Sequence, residues 1–537
     1  MQDPQVEDDA VVPTNSEPPG RPRVTVPVVA LLLAVSSGLG LLRDLSLAAL
    51  FGASSQTDAF LVAWTIPETV VPLMGDAMTY LLVPVFVAEL VRSRSMMPVV
   101  RATLLPLLAV ATAVAAIAAA GAPLWVQLLA PGIVERELAI SCFRIASLTV
   151  LFIGASGYFM AALRANHRFI IPACTGIVYN IGILGCMFAL RDRLGVLGTA
   201  LGLAVGSLLM VAIQIPSFRR VASFRGLRMD FNRRLLVGAS VFVPIGAYAL
   251  GRQAQVFVER VVGSLLSPGA ISHLNYASKI AQVPALLALT TAAVAFPLIA
   301  KAMDDPQELR VRVHEELRRV VLLILPPIAF FQFFAEPSVR FLLQRGVFEA
   351  SDTAVTASVL RLYSLGLLGQ VLIVVGVLIH FSGRRRNWAP AFAVLVGLGV
   401  TVLLDVALMA SMGVRGLAVG NAVGISVAAL LVLMRVRDVV HLNVRDLLRL
   451  VLIAGPLAVV ASGCAALLSA GLSTNPAAEV IVGALVTVAL FVLGAKLFRI
   501  TEVQDLMRVL DVRRRIAAIT PRRKSGYKGR HSGDLPD

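Results

Sequence analysis

The sequence has few charged residues for its length. Of its 537 residues 15% are charged, whereas 58% are hydrophobic. Runs of roughly 20 apolar residues recur along almost the whole chain, and each is long enough to cross a hydrocarbon core. Continuous Leu, Val, Ala and Ile runs stand in place of the short alternating segments that a porin-like barrel requires. The sequence therefore predicts an all-α polytopic membrane protein.

Motifs for metal binding and catalysis are also lacking. The four cysteines, Cys142, Cys174, Cys186 and Cys464, lie in apolar runs without metal-ligand spacing, so they are expected to be small buried core residues. The chain contains no GxSxG elbow, P-loop or HExxH motif, and its six histidines are scattered. A polytopic glycosyltransferase or polymerase, the rival class, would need a large outer loop with acidic residues. We therefore expect no enzyme, no resident cofactor and no metal site.

About fourteen apolar segments are predicted to span the membrane, and every second connection between them is rich in Lys and Arg. Such loops favour the cytoplasmic side, so both termini are expected to be cytoplasmic. Residues 1–23 are acidic and contain several prolines, which predicts a disordered leader, and residues 501–537 form a basic tail. The formal charge of +16 favours anionic lipid headgroups as partners over nucleic acid, since no folded basic domain accompanies it.

The sequence repeats itself at a distance of 217 or 218 residues. Arg144–Leu148 (RIASL) recurs as Arg361–Leu365 (RLYSL), and the glycine pattern that begins at Gly195 recurs from Gly413. Spans one to six and seven to twelve are therefore predicted to form two pseudo-symmetric six-helix lobes. The predicted lobes are residues 24–220 and 232–437, followed by a helix pair at 446–500.

Two lobes of the same topology are related by an axis along the membrane normal, which suggests alternating access. Glycine and proline inside a span free backbone groups that must face protein or a cavity. Three such positions, Gly40, Pro67 and Pro284, are candidate hinges.

Charged residues interrupt the first two predicted spans. They are Arg43, Asp44, Asp58, Glu68 and Asp76. A charge within the bilayer costs a few kcal/mol or more, so these side chains are expected to face a polar cavity, where substrate and ion pathways lie. The alternative to a cavity position for Arg43 and Asp44 is the end of a helix, from which a long side chain can reach the membrane–water interface.

The stretch GLLRDLSLAALFGASSQTDAFLVAWTIP (Gly40–Pro67) resembles the first two helices of the MurJ (MviN) lipid II flippases of the MOP exporter superfamily. Three further segments agree in matching order: HRFIIPACTGIVYNI (His167–Ile181), NYASKIAQVP (Asn275–Pro284) and LLQRGVFEASDTAVTASVLRLYSLGLLG (Leu342–Gly369). The resemblance covers roughly residues 24–500. It implies fourteen helices in two lobes plus a C-terminal pair, in a bacterial plasma membrane. It also implies a cationic cavity that takes an undecaprenyl pyrophosphate-linked sugar from the cytoplasmic to the outer face.

The resemblance assigns substrate-binding roles residue by residue. Arg43 and Asp44 match the family's RD pair, Asp58 matches the acidic residue of its TDAF motif, and Lys279 stands where an eighth-helix arginine is usual. Arg252 is a further candidate. A pyrophosphate needs cationic donors, which arginine supplies as a bidentate fork and lysine as a point charge.

The sequence departs from the family where other cavity arginines are expected. Ser37 and the pair Val71 and Pro72 occupy those positions. Either Arg252 and Arg260 supply the lost charge, or the substrate is another lipid-linked glycan such as a teichoic acid or exopolysaccharide precursor. A MOP-type small-molecule antiporter and a degenerate transporter with a scaffolding role are further alternatives.

Two intramembrane carboxylates are candidates for a coupling-ion site. They are Glu259 in the seventh predicted span and Asp405 in the eleventh, where Thr401 lies one turn away. Their oxygens suit a hard cation such as Na⁺, and the same carboxylates can carry protons. The alternative for Glu259 is an ion pair with Arg252 or Arg260. We expect a monomer, because a bundle with a central seam can work alone.

Overall fold

The computed structural model describes residues 25–71, 77–224, 226–227, 243–382, 388–440, 443–472, 475–498 and 500. The predicted leader and tail, together with Pro72 and Asp76, lie outside the described residues. The described chain consists of helices joined by short connections, with no strand in those ranges. The predicted all-α class is confirmed.

The described residues form seventeen α-helices. Those in the first half are α1 (Thr25–Phe51), α2 (Ser55–Val70), α3 (Ala77–Ser93), α4 (Met97–Ala120), α5 (Ala122–Leu129), α6 (Arg136–Ala165), α7 (Ile170–Leu194) and α8 (Val196–Phe218). Those in the second half are α9 (Val243–Ser264), α10 (Ala270–Lys301), α11 (Pro306–Leu343), α12 (Ala350–Ser364), α13 (Leu367–Ser382), α14 (Ala389–Met412), α15 (Val414–Val440), α16 (Val444–Ser469) and α17 (Pro476–Leu497).

The chain divides into two compact units. The first contains the described residues of 1–47, 59–128 and 133–240, and the second those of 48–58, 129–132 and 241–537. The second unit thus includes the end of α1, the connection to α2 and the first turn of α2.

Many of the helices can cross a membrane. Ten described helices are individually long and apolar enough to do so, and α12 with the first part of α13 forms a further such segment, bent by 42°. The protein is therefore a multi-pass membrane protein by helix length and composition. The count of about fourteen spans stays a prediction.

Helices α7 and α8 of the first unit pack closely because glycines line their contact. A Cβ on Gly206 would strike the carbonyl oxygen of Tyr179, and one on Gly182 would strike the backbone of Gly206. Gly195 joins the two helices with φ of +54°, a conformation that glycine adopts without steric cost. Small residues at such crossings let membrane helices gain close van der Waals packing.

Helices α14 and α15 repeat this arrangement within the second unit. Gly413 joins them with φ of +57°, and a Cβ on Gly424 would strike the carbonyl oxygen of Gly397. Gly195 and Gly413 are 218 residues apart, as are Gly206 and Gly424. The internal repeat found in the sequence is therefore also a structural repeat in this helix pair.

The C-terminal helices α16 and α17 pack on α11. Small residues spaced three or four apart on α16 form the contact, as expected for one face of a helix. The buried cluster includes Ala454, Ala458 and Ala461 on α16, Val321, Leu322 and Leu325 on α11, and Phe491 and Ala495 on α17.

The prediction that all four cysteines are buried is wrong for Cys464, which is exposed. Cys142 is buried, and Cys174 and Cys186 are partly buried; all four are free thiols. A small apolar side chain on a spanning helix can face lipid as readily as protein, so an apolar neighbourhood in the sequence does not distinguish the two positions.

Candidate functional site

Arg43 on α1 is held by three neighbours within the first unit. Its Nε and Nη2 donate to Oδ1 of Asp44 at 2.9 and 2.7 Å, and its Nη1 donates to Oδ1 of Asn180 at 3.1 Å. The guanidinium carbon lies 4.3 Å from the ring centre of Trp64, a cation–π contact. The side chains of Arg43 and Asp44 are only 13% and 16% exposed. The guanidinium is therefore fixed in position and partly accessible.

Asn180 on α7 positions both Arg43 and α1. Its Nδ2 donates to the carbonyl oxygens of Ser36 at 3.3 Å and Gly176 at 2.9 Å, which leaves Oδ1 to accept from Arg43. A Cβ on Gly176 would strike the hydroxyl of Ser36, so glycine allows α1 to approach this turn of α7.

The arrangement leaves Arg43 capable of binding an anion. Of the five N–H groups of a guanidinium, the bonds to Asp44 and Asn180 use three. One N–H group is left on each of the two terminal nitrogens, and guanidinium N–H groups are good donors to phosphate oxygens. Asp44 lowers the net charge of the pair and holds the fork in one orientation.

Asp58, in the first turn of α2, caps the amino end of α10 within the second unit. Its Oδ2 accepts from the Gly269 N–H at 2.7 Å, and its Oδ1 accepts from the N–H and hydroxyl of Ser272 at 2.8 and 2.5 Å. The first N–H groups of a helix have no partner within it, and a carboxylate there also stabilises the helix dipole. Asp58 is 4% exposed and uses both oxygens in the cap. The structure therefore gives Asp58 a capping role, and its contact with the substrate stays a prediction.

The connection between α1 and α2, which belongs to the second unit, makes two further contacts within that unit. The Val347 N–H donates to the carbonyl oxygen of Ala49 at 2.9 Å, and the Tyr276 hydroxyl donates to that of Gly52 at 3.2 Å. Gly346, with φ of +62°, leaves space for the Ala49 carbonyl. Residues from three of the segments that carry the family resemblance thus meet at the amino end of α10.

A buried polar cluster joins α9, α14 and α15. Glu259 Oε1 accepts from Asn421 Nδ2 at 2.5 Å and from Gln255 Nε2 at 3.3 Å. Asp405 is fully buried, its two oxygens have no hydrogen-bond partner among the described residues, and it is close enough to Glu259 for their charges to interact. The buried hydroxyl of Thr401 lies within 3.2 Å of the Gly397 carbonyl oxygen and 3.3 Å of that of Gly420.

Two neighbouring carboxylates in a low-dielectric site cannot both stay charged without a compensating cation or proton. Asp405, Glu259 and Thr401 present oxygen atoms of the kind that hard cations prefer. The described ranges contain no group of three or more His, Cys, Asp or Glu side chains that could hold a metal ion. Asp405, whose oxygens have no hydrogen-bond partner among the described residues, is the group of this cluster whose charge most needs a proton or a cation beside it.

The other predicted cations lie on α9 and α10. Lys279 is half-buried on α10 and Arg252 is half-buried on α9, whereas Arg260 is buried and donates to Asn275 Oδ1 at 3.4 Å. Ser37 is exposed on α1, and its hydroxyl donates to the Leu33 carbonyl oxygen at 3.0 Å. The structure brings together Arg43 with Asp44, and Glu259 with Asp405.

The candidate hinges lie inside regular helices. The helix α1 runs through Gly40 without a break, α10 runs through Pro284, and Pro67 lies in the last turn of α2. Their hinge role stays a prediction.

A family model described as lipid II flippase MurJ matches residues 47–490. The chain belongs to the MurJ family. A lipid II flippase MurJ of Burkholderia cenocepacia is 28% identical over 422 residues, which cover 74% of this chain and 80% of the relative. A probable lipid II flippase MurJ of Thermotoga maritima is 24% identical over 479 residues, which cover 87% of this chain and 95% of the relative.

Solved structures show the same fold. A lipid II flippase MurJ in an inward closed conformation superposes with a TM-score of 0.70 at 21% identity, covering 87% of this chain and 99% of that one. An inward-facing multidrug resistance MATE family transporter of the MOP superfamily gives 0.64 at 14% identity, covering 78% and 99%. The MurJ-family chain therefore has the fold shared by MOP superfamily transporters.

Sequence reasoning missed four residues of this MurJ-family protein that shape the site. Asn180 and Ser272 bind the predicted residues Arg43 and Asp58, Trp64 stacks on Arg43, and Asn421 binds Glu259. Asn180 lies within one of the segments that carry the family resemblance, which was the available signal. Asn421 is an amide within an apolar span and could have been found by the same rule that identified Asp405.

Proposed function

We propose that this protein carries lipid II from the cytoplasmic to the outer face of the bacterial plasma membrane by alternating access. Membership of the MurJ family supports this function, as do relatives named lipid II flippases that match over most of their length. A flippase moves its substrate without a chemical reaction, which agrees with the prediction that the chain is not an enzyme.

The observation that carries the proposal is the oriented guanidinium of Arg43. Asp44 and Asn180 hold it, Trp64 covers one face, and its unused N–H groups match the oxygens of a pyrophosphate. Lys279 and Arg252 are the further cations in this proposal and supplement Arg43, since Ser37 and Val71 supply no charge.

We also assign Glu259, Asp405 and Thr401, with Asn421, to the coupling-ion site. An unsatisfied buried carboxylate next to a second one is a strong driving force for uptake of Na⁺ or a proton. Release of that ion would leave the pair repelling, so the occupied and empty states favour different arrangements of α9, α14 and α15. Such a difference is what couples an ion gradient to transport.

The wider organisation belongs to the same proposal. Residues 24–220 and 232–437 form the two lobes, and residues 446–500 form the C-terminal pair. Both termini are cytoplasmic, the basic tail contacts anionic lipids, and the protein works as a monomer. No nucleic acid takes part.

Complementation tests the function directly. The full chain is expressed in bacterial cells depleted of their own lipid II flippase, and survival is scored together with exposure of lipid II on the outer face. We expect rescue by the wild-type chain and loss of rescue with Arg43→Ala at equal membrane abundance. The matched control is Arg437→Ala, which removes an exposed arginine at the end of α15 and is expected to rescue.

Each outcome has a distinct meaning. Rescue by Arg43→Ala would contradict the assignment of that residue to the substrate. Failure of a correctly inserted wild-type chain would contradict lipid II as the substrate and would favour another polyprenyl-linked glycan.

A further inference from the structure

Two arginines of the second unit lie outside the sites described above. Arg361 is on α12, and Arg415 is in the first turn of α15. Nε of Arg415 donates to Oγ of Ser358 on α12 at 2.9 Å. Ser358 precedes Arg361 by three residues, and side chains three residues apart are neighbours on one side of a helix. The bond to Ser358 therefore brings Arg415 to the side of α12 that carries Arg361.

In the described part of the chain, no acidic side chain is paired with these two arginines. The guanidinium of Arg361 has no hydrogen bond or ion pair there, and that of Arg415 has only its bond to Ser358. Asp352, in the first turn of α12, is nine residues from Arg361, which places the two on opposite sides of the helix. Glu336 on α11 is exposed and forms no ion pair with either arginine.

The position of Arg361 makes its charge costly. Helix α12 and the first part of α13 form a segment that is long and apolar enough to cross a membrane, and Arg361 lies eleven residues after its first residue, Ala350. That separation is about 16 Å along the helix. Nε of Arg361 is buried without a hydrogen-bond partner among the described residues. Charges placed in this way mark the pathways of substrates and ions, so Arg361 is a candidate contact for an anion.

The internal repeat shows which part of this arrangement is particular to the second unit. Arg361 corresponds to Arg144, 217 residues earlier, which is exposed on α6. Arg415 corresponds to Leu197, 218 residues earlier on α8. The first unit thus has one arginine where the second has two, and Arg144 offers a single-arginine comparison.

The surface beside Arg361 suits a lipid better than a soluble anion. Leu365 follows Arg361 by four residues, at the end of α12, and is 49% exposed. Residues four apart in a helix lie on the same side, so an anion bound to Arg361 has apolar surface next to it toward the middle of the segment. A ligand with an anionic head and a long apolar chain matches this order of surfaces.

The number of cations favours a pyrophosphate over a single phosphate. The terminal nitrogens of both guanidinium groups have no bond within the described residues, and a guanidinium can donate two parallel N–H groups to one phosphate. Two such groups match the two phosphates of a pyrophosphate that links a polyprenol to a sugar. A phosphodiester headgroup offers one phosphate for the two arginines.

We propose that Arg361 and Arg415 form a second contact site for the pyrophosphate of the transported lipid, separate from Arg43. This inference rests on the proposed function, because it takes the substrate to be a polyprenyl pyrophosphate-linked sugar. Arg361 binds one phosphate and Arg415 binds the other, while Ser358 holds Arg415 in place.

The test measures binding of undecaprenyl pyrophosphate, which carries no sugar, to the purified full chain by native mass spectrometry. Arg43→Ala is used as the background, so that binding at Arg43 does not mask the second site. We expect residual binding in this background. Adding Arg361→Gln and Arg415→Gln should weaken that binding on the order of tenfold, because hydrogen bonds between charged groups are lost.

Three controls keep the result specific. Arg144→Gln removes the equivalent exposed arginine of the first unit and should leave residual binding unchanged. Arg415→Gln alone, at an exposed position where folding is not at risk, should give part of the loss. Neither excess phosphatidylglycerol nor inorganic pyrophosphate at the lipid's concentration should displace the bound lipid.

Four results would overturn the proposal. The first is the absence of residual binding in Arg43→Ala, and the second is residual binding that persists when Arg361 and Arg415 are replaced. The third is an equal loss with Arg144→Gln, which would indicate general surface charge. The fourth is displacement by phosphatidylglycerol or inorganic pyrophosphate, because the site would then not select a lipid pyrophosphate.

Failure of this proposal and failure of the proposed function can be told apart. Rescue by the wild-type chain in the complementation experiment, with binding unchanged in the Arg361 and Arg415 variants, would contradict this site and leave the function intact. Failed rescue, with binding lost in those variants, would support the pyrophosphate site and contradict lipid II as the substrate.

Discussion

Ser272 donates two hydrogen bonds to one oxygen of Asp58, from its N–H at 2.8 Å and from its hydroxyl at 2.5 Å. The two residues are 214 positions apart in the chain, yet the contact is buried. With the Gly269 N–H on the second oxygen, one carboxylate satisfies three donors at the amino end of α10. The first turn of α2 is thereby fastened to the start of α10.

Replacing Asp58 with alanine should destabilise the protein by about 3 kcal/mol, since hydrogen bonds to a charged group are worth about 1.5–3 kcal/mol and buried donors would lose their acceptor. The measurement is the thermal unfolding midpoint of the purified protein in detergent. Ser272→Ala removes only the hydroxyl donor and should cost about 1 kcal/mol. An unchanged midpoint in Asp58→Ala would contradict the capping role.

The fold could be predicted because its signals are local. Apolar runs determine where the helices lie. Gly195 and Gly413 mark equivalent turns, and their separation of 218 residues can be found from a single sequence. Exposure to lipid was not predictable in the same way. Cys464 and the buried Cys142 have similar neighbours in the sequence, and only packing against other helices distinguishes them.

The site was predictable as a set of charged residues but not as a set of contacts. Arg43, Asp405 and Glu259 were found because a charged residue in an apolar span is energetically costly and therefore indicates a functional site. The partners of these residues come from distant parts of the chain: Asn180 is 137 residues from Arg43, and Asn421 is 162 from Glu259. The capping role of Asp58 was not predicted, because its three donors lie at the start of another helix, which no local pattern indicates.

Arg43→Lys should lower lipid II transport about tenfold although it keeps the charge. Lysine lacks the planar fork that binds Asp44, Asn180 and a phosphate together, and it stacks less well on Trp64. The measurement is the rate of outer-face exposure of lipid II in complemented cells. Arg437→Lys, at an exposed position on α15, should keep the wild-type rate. A normal rate in Arg43→Lys would show that charge alone suffices.

Asp405→Asn should abolish stabilisation of the protein by sodium. A cation that binds only the folded state raises the unfolding midpoint, and the neutral amide removes the charge that holds it. The midpoint is compared in sodium chloride and in choline chloride at equal ionic strength. Glu315→Gln, an exposed carboxylate on α11, is the matched control and should keep the shift. A full sodium shift in Asp405→Asn would place the ion elsewhere, and a wild-type chain without a shift would indicate that the carboxylates carry protons.

Gly420→Ala should disrupt the ion site without changing any charge. A Cβ at this position of α15 would overlap Oδ1 of Asp405 and press on the carbonyl oxygen of Thr401, so the two helices must separate or Asp405 must turn away. Such overpacking costs about 1–3 kcal/mol, and we expect both a lower unfolding midpoint and a smaller sodium shift.

Gly399→Ala on α14 is the matched control for Gly420→Ala, because a Cβ there meets open space. Alanine in an unobstructed helical position is about 0.5–1 kcal/mol more favourable than glycine, so this variant should unfold at a slightly higher temperature with an unchanged sodium shift. If Gly420→Ala behaved like Gly399→Ala, the close approach of α15 to Asp405 would be irrelevant to ion binding. If only the midpoint fell, the glycine would serve packing alone, and the ion would not depend on the position of the Asp405 carboxylate.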